Sequence, residues 1–363
     1  MPVDFLAPAF GVAVNGVMLT PAVANAVTSV IVTHELDSLD HFTLSVANEF
    51  PDLPFTHGDQ ADLFQEGNSV TVKLGYRDAL ESVFDGQVTR VRPTFPDHDT
   101  PTVTIDGHSR LHWLRGATKT RTFVDVTDSD IASRIANEAG LQPQTDATDT
   151  KHPYVIQANL SDLDFLLDRA RRIRYELLVQ GTTLIFRKPA DGKAKSFTLV
   201  WGDPQRGFDP DHDTLPLSRF EPVLDALAPA TSVTIRGQDP STRDPITGTA
   251  TDADADDTSG TSGAAVANNA FSTAHDATVV DIPVASQAEA DEIAKALFNE
   301  RVSNLVTGRG ACVGTPKIRT GQVVELAGIG PRFSGSYLVT RSTHRLDSSG
   351  YETIFSVRRG AVG

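Results

Sequence analysis

Cysteine is almost missing from this chain: among 363 residues Cys312 stands alone. One thiol cannot close an intramolecular disulfide, and a closed thiolate zinc site needs two or more thiolates or several histidines. Aromatic residues are sparse as well, at 7% with two tryptophans, which speaks against a surface that captures ligands on exposed rings. No run approaches the ~18–20 apolar residues of a spanning helix, so no membrane insertion is expected. The opening MPVDFLAPAFGVAVNGVMLTPAVANAV lacks the basic start and compact apolar core of a signal peptide, and Pro, Gly and Asn interrupt it. The chain is therefore expected to be made and kept inside the cell. Positive charge is also in deficit: 32 Lys and Arg against 47 Asp and Glu leave a net charge of −15. Specific nucleic-acid binding needs clustered Lys and Arg, and this balance argues against it. The acidity serves solubility, or an acidic face along which polyanions do not stick.

Alternating apolar and polar residues fill the first hundred positions. Phe42, Leu44 and Val46 fall on one face at period two, and so do Val70, Val72 and Leu74. Short strands bounded by Gly, Pro, Asp and Asn indicate a sandwich or barrel. The character changes after residue 120. VTDSDIASRIANEAGL reads as a helix capped by Thr127 or Asp128 and stopped by Gly140. NLSDLDFLLDRARRI reads as another, with Ser161 and Asp164 at capping spacing. YELLVQGTTLIFRKP then reads as a hairpin around Gln180-Gly181. Strands resume after about residue 195. The stretch 247–269 holds almost no large apolar side chain and is expected to be a flexible acidic linker, followed by a helix near 286–303.

Two stretches resemble each other. Residues 67–91 contain GNSVTVKL, a loop and FDGQVTRV; residues 321–341 contain GQVVEL, a loop and FSGSYLVTR. The pattern matches Gly67 with Gly321, Phe84 with Phe333 and Gly86 with Gly335. Duplication and chance likeness between small β-domains both fit so few identities; duplication means two similar β-barrels, one early and one late.

The candidate chemical groups are weak. Ser342, His344 and Asp347 have the residue types of a hydrolase triad, and on a strand Ser342 and His344 share a face about 6–7 Å apart. Asp347, however, falls in a DSSG turn, and no G-x-S-x-G elbow is present. His98 with Asp97 and Asp99, and His212 with Asp211 and Asp213, lie in a repeated PDHDT. Three consecutive side chains fan apart and rarely chelate a cation alone. Asp252–Asp257 mimics the start of a calcium loop, but Asp257 and Gly263 occupy the places of its Gly and Glu. Arg169, Arg171, Arg172 and Arg174 suit a helix C-terminus and are spaced to pair with Asp162, Asp164 and Asp168 on the same helix, with a protein-contact patch as the second reading. No phosphate-loop, dinucleotide or zinc-protease motif occurs. No catalytic residue, cofactor-binding residue or metal ligand is assigned, and the chain is expected not to be an enzyme.

Taken in order, the N-terminal block from LDSLDHFTLSVAN to FDGQVTRV, the stretch SDLDFLLDRARRIRYELLVQGTTLIFRKP and the closing GQVVELAG…FSGSYLVTRSTHRLDSSGYETIFSVRR resemble the baseplate hub proteins of contractile injection machines. These comprise the phage late control protein D family, the hub portion of VgrG proteins and their counterparts in extracellular injection systems. The resemblance implies a mixed α+β, β-rich fold in which two similar tube-type β-barrels flank a small α+β domain. It implies a pseudo-sixfold homotrimer, a symmetry adaptor between a sixfold inner tube and a threefold spike. The implied partners are further copies of the chain, the inner tube protein, the spike protein and other baseplate proteins, and assembly would take place in the cytoplasm. VgrG proteins continue into a spike whereas this chain stops at Gly363, so the tip is expected to be a separate polypeptide. The expected division is 1–114, 115–195 and 196–363. The alternatives are a hydrolase centred on Ser342 and His344, or a β-rich surface adhesin.

Overall fold

The computed structural model describes residues 7–49, 51–77, 79–191, 195–202, 214–227, 229–271 and 276–363. The first region runs β1 (Pro8–Val14), β2 (Val17–Met18), α1 (Pro21–Ala26), β3 (Val27–Glu35), β4 (His41–Ala47), β5 (Ser69–Tyr76), β6 (Ala79–Thr94) and β7 (Thr102–Ser109). The period-two pattern does what it should, burying Phe42, Leu44 and Val46 on β4 and Val70, Val72 and Leu74 on β5.

The middle region has its own core. It comprises β8 (Lys119–Thr127), α2 (Asp128–Glu138), β9 (Gln142–Thr145), β10 (Lys151–Leu160), α3 (Asp162–Arg172), β11 (Glu176–Gln180) and β12 (Thr183–Arg187). Thr127 and Asp130 form a reciprocal capping box on α2, with bonds of 3.2 and 3.0 Å. Ser161 caps α3 by accepting from the Asp164 N–H at 3.0 Å. Phe123, Ile135, Leu166, Leu177 and Phe186 meet in between.

The last region runs β13 (Phe197–Val200), β14 (Thr214–Leu224), β15 (Ser232–Gln238), β16 (Pro245–Thr251), β17 (Thr261–Ser262), α4 (Gly263–Phe271), β18 (Asp276–Val279), α5 (Gln287–Val302), β19 (Val306–Val313), β20 (Val323–Ala327), β21 (Gly335–Asp347), β22 (Gly350–Arg359) and β23 (Ala361–Val362). The flexible linker expected at 247–269 is not what forms. These residues make most of β16, β17 and most of α4. Their small side chains serve close packing rather than disorder: a Cβ on Gly248 would lie 2.3 Å from the Ala290 backbone of α5. Asn299 ties the turn between them, bonding the Asp256 N–H at 2.7 Å and the Asp254 carbonyl at 2.8 Å.

One sheet runs through both ends of the chain in the order β2-β1-β5-β6-β7-β4-β3-β21-β20-β13-β14-β19-β22, and pairing of β21 with β22 closes its last six strands into a barrel. The early six strands are ordered β1-β5-β6-β7-β4-β3; the barrel, entered at β13, is ordered β13-β20-β21-β22-β19-β14. In chain order both read first, fourth, fifth, sixth, third, second. Two differences stand out. β1 runs antiparallel to β5 whereas β13 runs parallel to β20. Among the described residues β1 and β3 do not pair, so the early set stays open, and β3 pairs with β21 instead.

The match extends to irregularities. The ladder shifts at Thr28 and at Ser218, and again at Thr89 and at Thr340. At the second pair the hydroxyl bonds agree: Thr89 donates to the Asp106 carbonyl at 3.4 Å and Thr340 to the Ser356 carbonyl at 3.2 Å. Gly67 N–H bonds the Val88 carbonyl at 2.8 Å, and Gly321 N–H bonds the Val339 carbonyl at 2.9 Å. Both glycines have positive φ, 90° and 72°. The equivalence of Gly67 and Gly321 therefore holds, but the Phe-x-Gly match is out by two residues. The shared Val-Thr-Arg at 88–90 and 339–341 sets the register, and it makes Phe84 the equivalent of Gly335: Phe84 lies opposite Val72, and Gly335 opposite Leu326.

Candidate functional site

The seam where β3 meets β21 is the best-formed polar site, with Glu35 opposite Arg341 through Val30 opposite Leu346. Ser342 and His344 lie on β21 with no exposed surface. The His344 ring packs edge-on against His34, centroids 5.8 Å apart, and its Nδ1 is 3.1 Å from the Tyr351 hydroxyl and 3.3 Å from Thr353 Oγ1. His34 in turn meets Asp40 at 3.1 Å. Burial, then the neighbouring His34 and Arg319, hold the His344 imidazole well below its ordinary range. Burial likewise pushes the Tyr351 phenol up.

These groups do not form a triad. Among the described residues Ser342 Oγ has no hydrogen-bond partner. Asp347 sits at the β21–β22 turn, where it accepts from the Ser349 N–H at 2.8 Å and from Arg345 at 2.6 Å. Those bonds, the Ser349 hydroxyl first, lower its carboxyl to about 2. An adjacent cavity reaches His34, Asp40 and Arg319 but neither Ser342 nor His344. A nucleophile without a base, an orienting carboxylate or an approach for substrate has no hydrolytic chemistry to offer.

The other candidates are dispersed. His98 and Asp97 touch at 3.2 Å on a loop where both are more than nine-tenths exposed. Asp99 accepts from its neighbour Thr100 at 2.7 Å. His212, Asp211 and Asp213 lie outside the described residues. In Asp252–Asp257 the carboxylates are used locally: Asp254 meets Lys295 at 3.2 Å, Asp256 meets Arg174 at 2.5 Å, and Asp257 accepts from the Gly360 N–H at 3.2 Å. Among the described residues no cluster of three or more His, Cys, Asp or Glu is arranged to hold a metal ion. No helix among them is long and apolar enough to cross a membrane.

The arginine cluster departs from its expected pairing. Arg169 makes a bidentate pair with Asp128 of α2, at 2.5 and 2.9 Å. Arg172 reaches Glu289 of α5 at 2.7 Å, and Arg174 reaches Asp191 at 2.5 Å. Asp162 pairs instead with Lys119 at 2.6 Å and Arg121 at 2.8 Å, and Asp164 with its own cap, Ser161. Arg169 and Arg172, at the C-terminal end of α3, and Arg174 just beyond it reach across to other parts of the chain, so these three link packed units rather than one helix face. Sequence reasoning missed His34, Glu35 and Arg319; the β3–β21 pairing that sets His34 opposite Ser342 and Glu35 opposite Arg341 joins strands some three hundred positions apart, and no local pattern announces it.

A family model described as the Alg8 N-terminal domain matches residues 7–348. No curated protein matches the chain in sequence. Solved structures match it in fold. The prophage MuSo2 43 kDa tail protein from Shewanella oneidensis superposes with a TM-score of 0.70 at 15% identity, covering 98% of this chain and 99% of that one. The tail protein from Neisseria meningitidis MC58 gives 0.68 at 14% identity, covering 97% of each chain. The E. coli c3393 protein, a type VI secretion component with structural similarity to the T4 bacteriophage tail proteins gp27 and gp5, gives 0.60 at 11% identity, covering 96% and 76%. At such identities the likeness establishes the fold, which is that of phage tail proteins.

Proposed function

The chain belongs to the Alg8 N-terminal domain family, and from its tail-protein fold we propose that it is a structural baseplate hub of a contractile injection machine. In this reading it acts as a homotrimeric symmetry adaptor, joining a sixfold inner tube to a threefold spike. The observation that carries it is the pair of six-strand sets with one strand order inside a single chain. Three copies of such a chain offer six near-equivalent sets to a tube on one side and three identical faces to a spike on the other. The chain then divides at 1–114, 115–195 and 196–363 into a first tube-type domain, an α+β domain and a second tube-type domain. Its partners are the inner tube protein, the spike protein and neighbouring baseplate proteins, and its assembly is cytoplasmic. In this reading the role is mechanical rather than catalytic.

Averaged images of the assembled particle test this. Three copies between tube and spike are expected; a single copy, or a position away from that junction, overturns it.

A further inference from the structure

The β3–β21 seam covers only one of two equivalent pairs of edges. On β21, residues 335–338 pair with β20 and the following 341–346 pair with β3. On β6, the equivalent of β21, residues 79–87 pair with β5, but on that same side residues 90–95 pair with nothing among the described residues. On β14, the equivalent of β3, residues 219–224 pair among the described residues with β19 on one side only. Burial follows this difference. In the seam Val30, Val32, Ser342 and His344 are fully buried. On the open edges Phe95 is 56% exposed and Val223 60%.

We infer that these two edges pair with each other between copies of the chain, β14 of one copy against β6 of the next, in the register of the β3–β21 seam. The inference rests on the proposed oligomeric hub and names the surface that would build it. The shared ladder shifts fix the equivalences: Glu35 corresponds to Asp225, Ile31 to Glu221, Arg341 to Arg90 and Arg345 to Thr94. Asp225 then falls opposite Arg90, repeating the acid–arginine pairing of Glu35 opposite Arg341. Glu221 falls opposite Thr94. Phe220, whose counterpart is Val30 and which already packs edge-on against Tyr337, falls opposite Phe95, which gives the exposed Phe95 ring an apolar partner. Pro222 and Pro93 face one another where Val32 faces His344, and neither has an N–H to donate. They interrupt the new ladder at one pair and keep both edges from accepting an arbitrary strand. Because the two edges differ, the contact is head-to-tail, and head-to-tail contacts close into rings when the rotation allows.

Cysteines at Thr94 and Glu221 of the full-length chain test the register. Both positions are exposed, Cys312 is buried, and the pair corresponds to Ile31 opposite Arg345. Mild oxidation of T94C/E221C should convert the oligomer into a covalent one on a non-reducing gel. T94C paired with L227C, whose second cysteine is displaced along the edge, should not link. R90D should abolish the T94C/E221C cross-link, and adding D225R should restore it. An oligomer of unchanged mass without the cross-link overturns this seam and leaves the hub reading standing. A chain that remains a monomer with tube and spike partners present defeats both.

Discussion

His344 shows what one buried side chain at the seam implies for the protein in solution. It is fully buried, and burial together with His34 and Arg319 keeps its imidazole neutral far below the ordinary range. In the unfolded chain a histidine titrates near ~6.5. As pH drops below that value the unfolded state takes up a proton that the folded state refuses, so folding loses stability with acidity until the folded imidazole itself titrates. Above that pH the group contributes no slope. The loss is at most about 1.4 kcal/mol per pH unit for each such group. His108, held below its ordinary range first by burial, adds to the loss in the same direction. H344Q keeps a polar group near Tyr351 and Thr353 but cannot titrate. Denaturant unfolding from pH 7 to 5 should therefore show a shallower decline for H344Q than for the parent, and parallel declines would refute the assignment. The residues that looked catalytic in the sequence thus act through burial, which their spacing could not reveal because the β3 strand covering them lies some three hundred positions away.

Individual elements were legible wherever the determining interaction is local. The caps at Thr127 and Ser161 and the hairpin turn at Gln180-Gly181 each involve residues within four positions. The repeat was legible in part: Gly67 and Gly321 align, as does the Val-Thr-Arg, but the Phe-x-Gly match does not, and a ladder shift can only be seen in a paired sheet. What stayed hidden were contacts between elements. Residues 247–269 looked unstructured because small side chains serve equally for loops and for close helix–strand packing. Arg172 looked like an intrahelical partner but crosses to α5. Its guanidinium bonds Glu289 at 2.7 Å and also the Pro283 carbonyl, while Glu289 accepts from the Ala285 N–H at 2.8 Å. Both side chains are largely buried, so removing one leaves the other poorly solvated. R172A and E289A should each destabilise the protein by on the order of 3 kcal/mol. Because each exposes the same loss, R172A/E289A should cost clearly less than their sum. Additive costs in a denaturant double-mutant cycle would mean that the pair does not clamp α3 to α5.

At the scale of the molecule the two six-strand sets differ most in one connection. Between β3 and β4 the chain turns through Leu36–Asp40, whereas between β14 and β19 it inserts β15 to α5. The insertion leaves and re-enters at adjacent points, since Leu224 lies opposite Val306 and the Asp225 N–H bonds the Leu305 carbonyl at 2.9 Å. It also carries its own core, in which Val233, Ile235, Ile293 and Phe298 are fully buried. A unit with its own core and neighbouring ends should be dispensable for closing the barrel. Replacing residues 226–304 by a turn copied from Leu36–Ser38 should therefore give a chain with intact β-sheet circular dichroism and one cooperative thermal transition. The transition should fall to lower temperature, because Arg172 and Arg174 lose Glu289 and Asp256. Non-cooperative melting would instead make the insertion part of the barrel's fold. Glu221, Asp225, Arg90 and Thr94 all lie outside the excised segment, so the shortened chain should still form the T94C/E221C cross-link. That outcome separates the surface that joins copies from the appendage that one set carries and the other lacks.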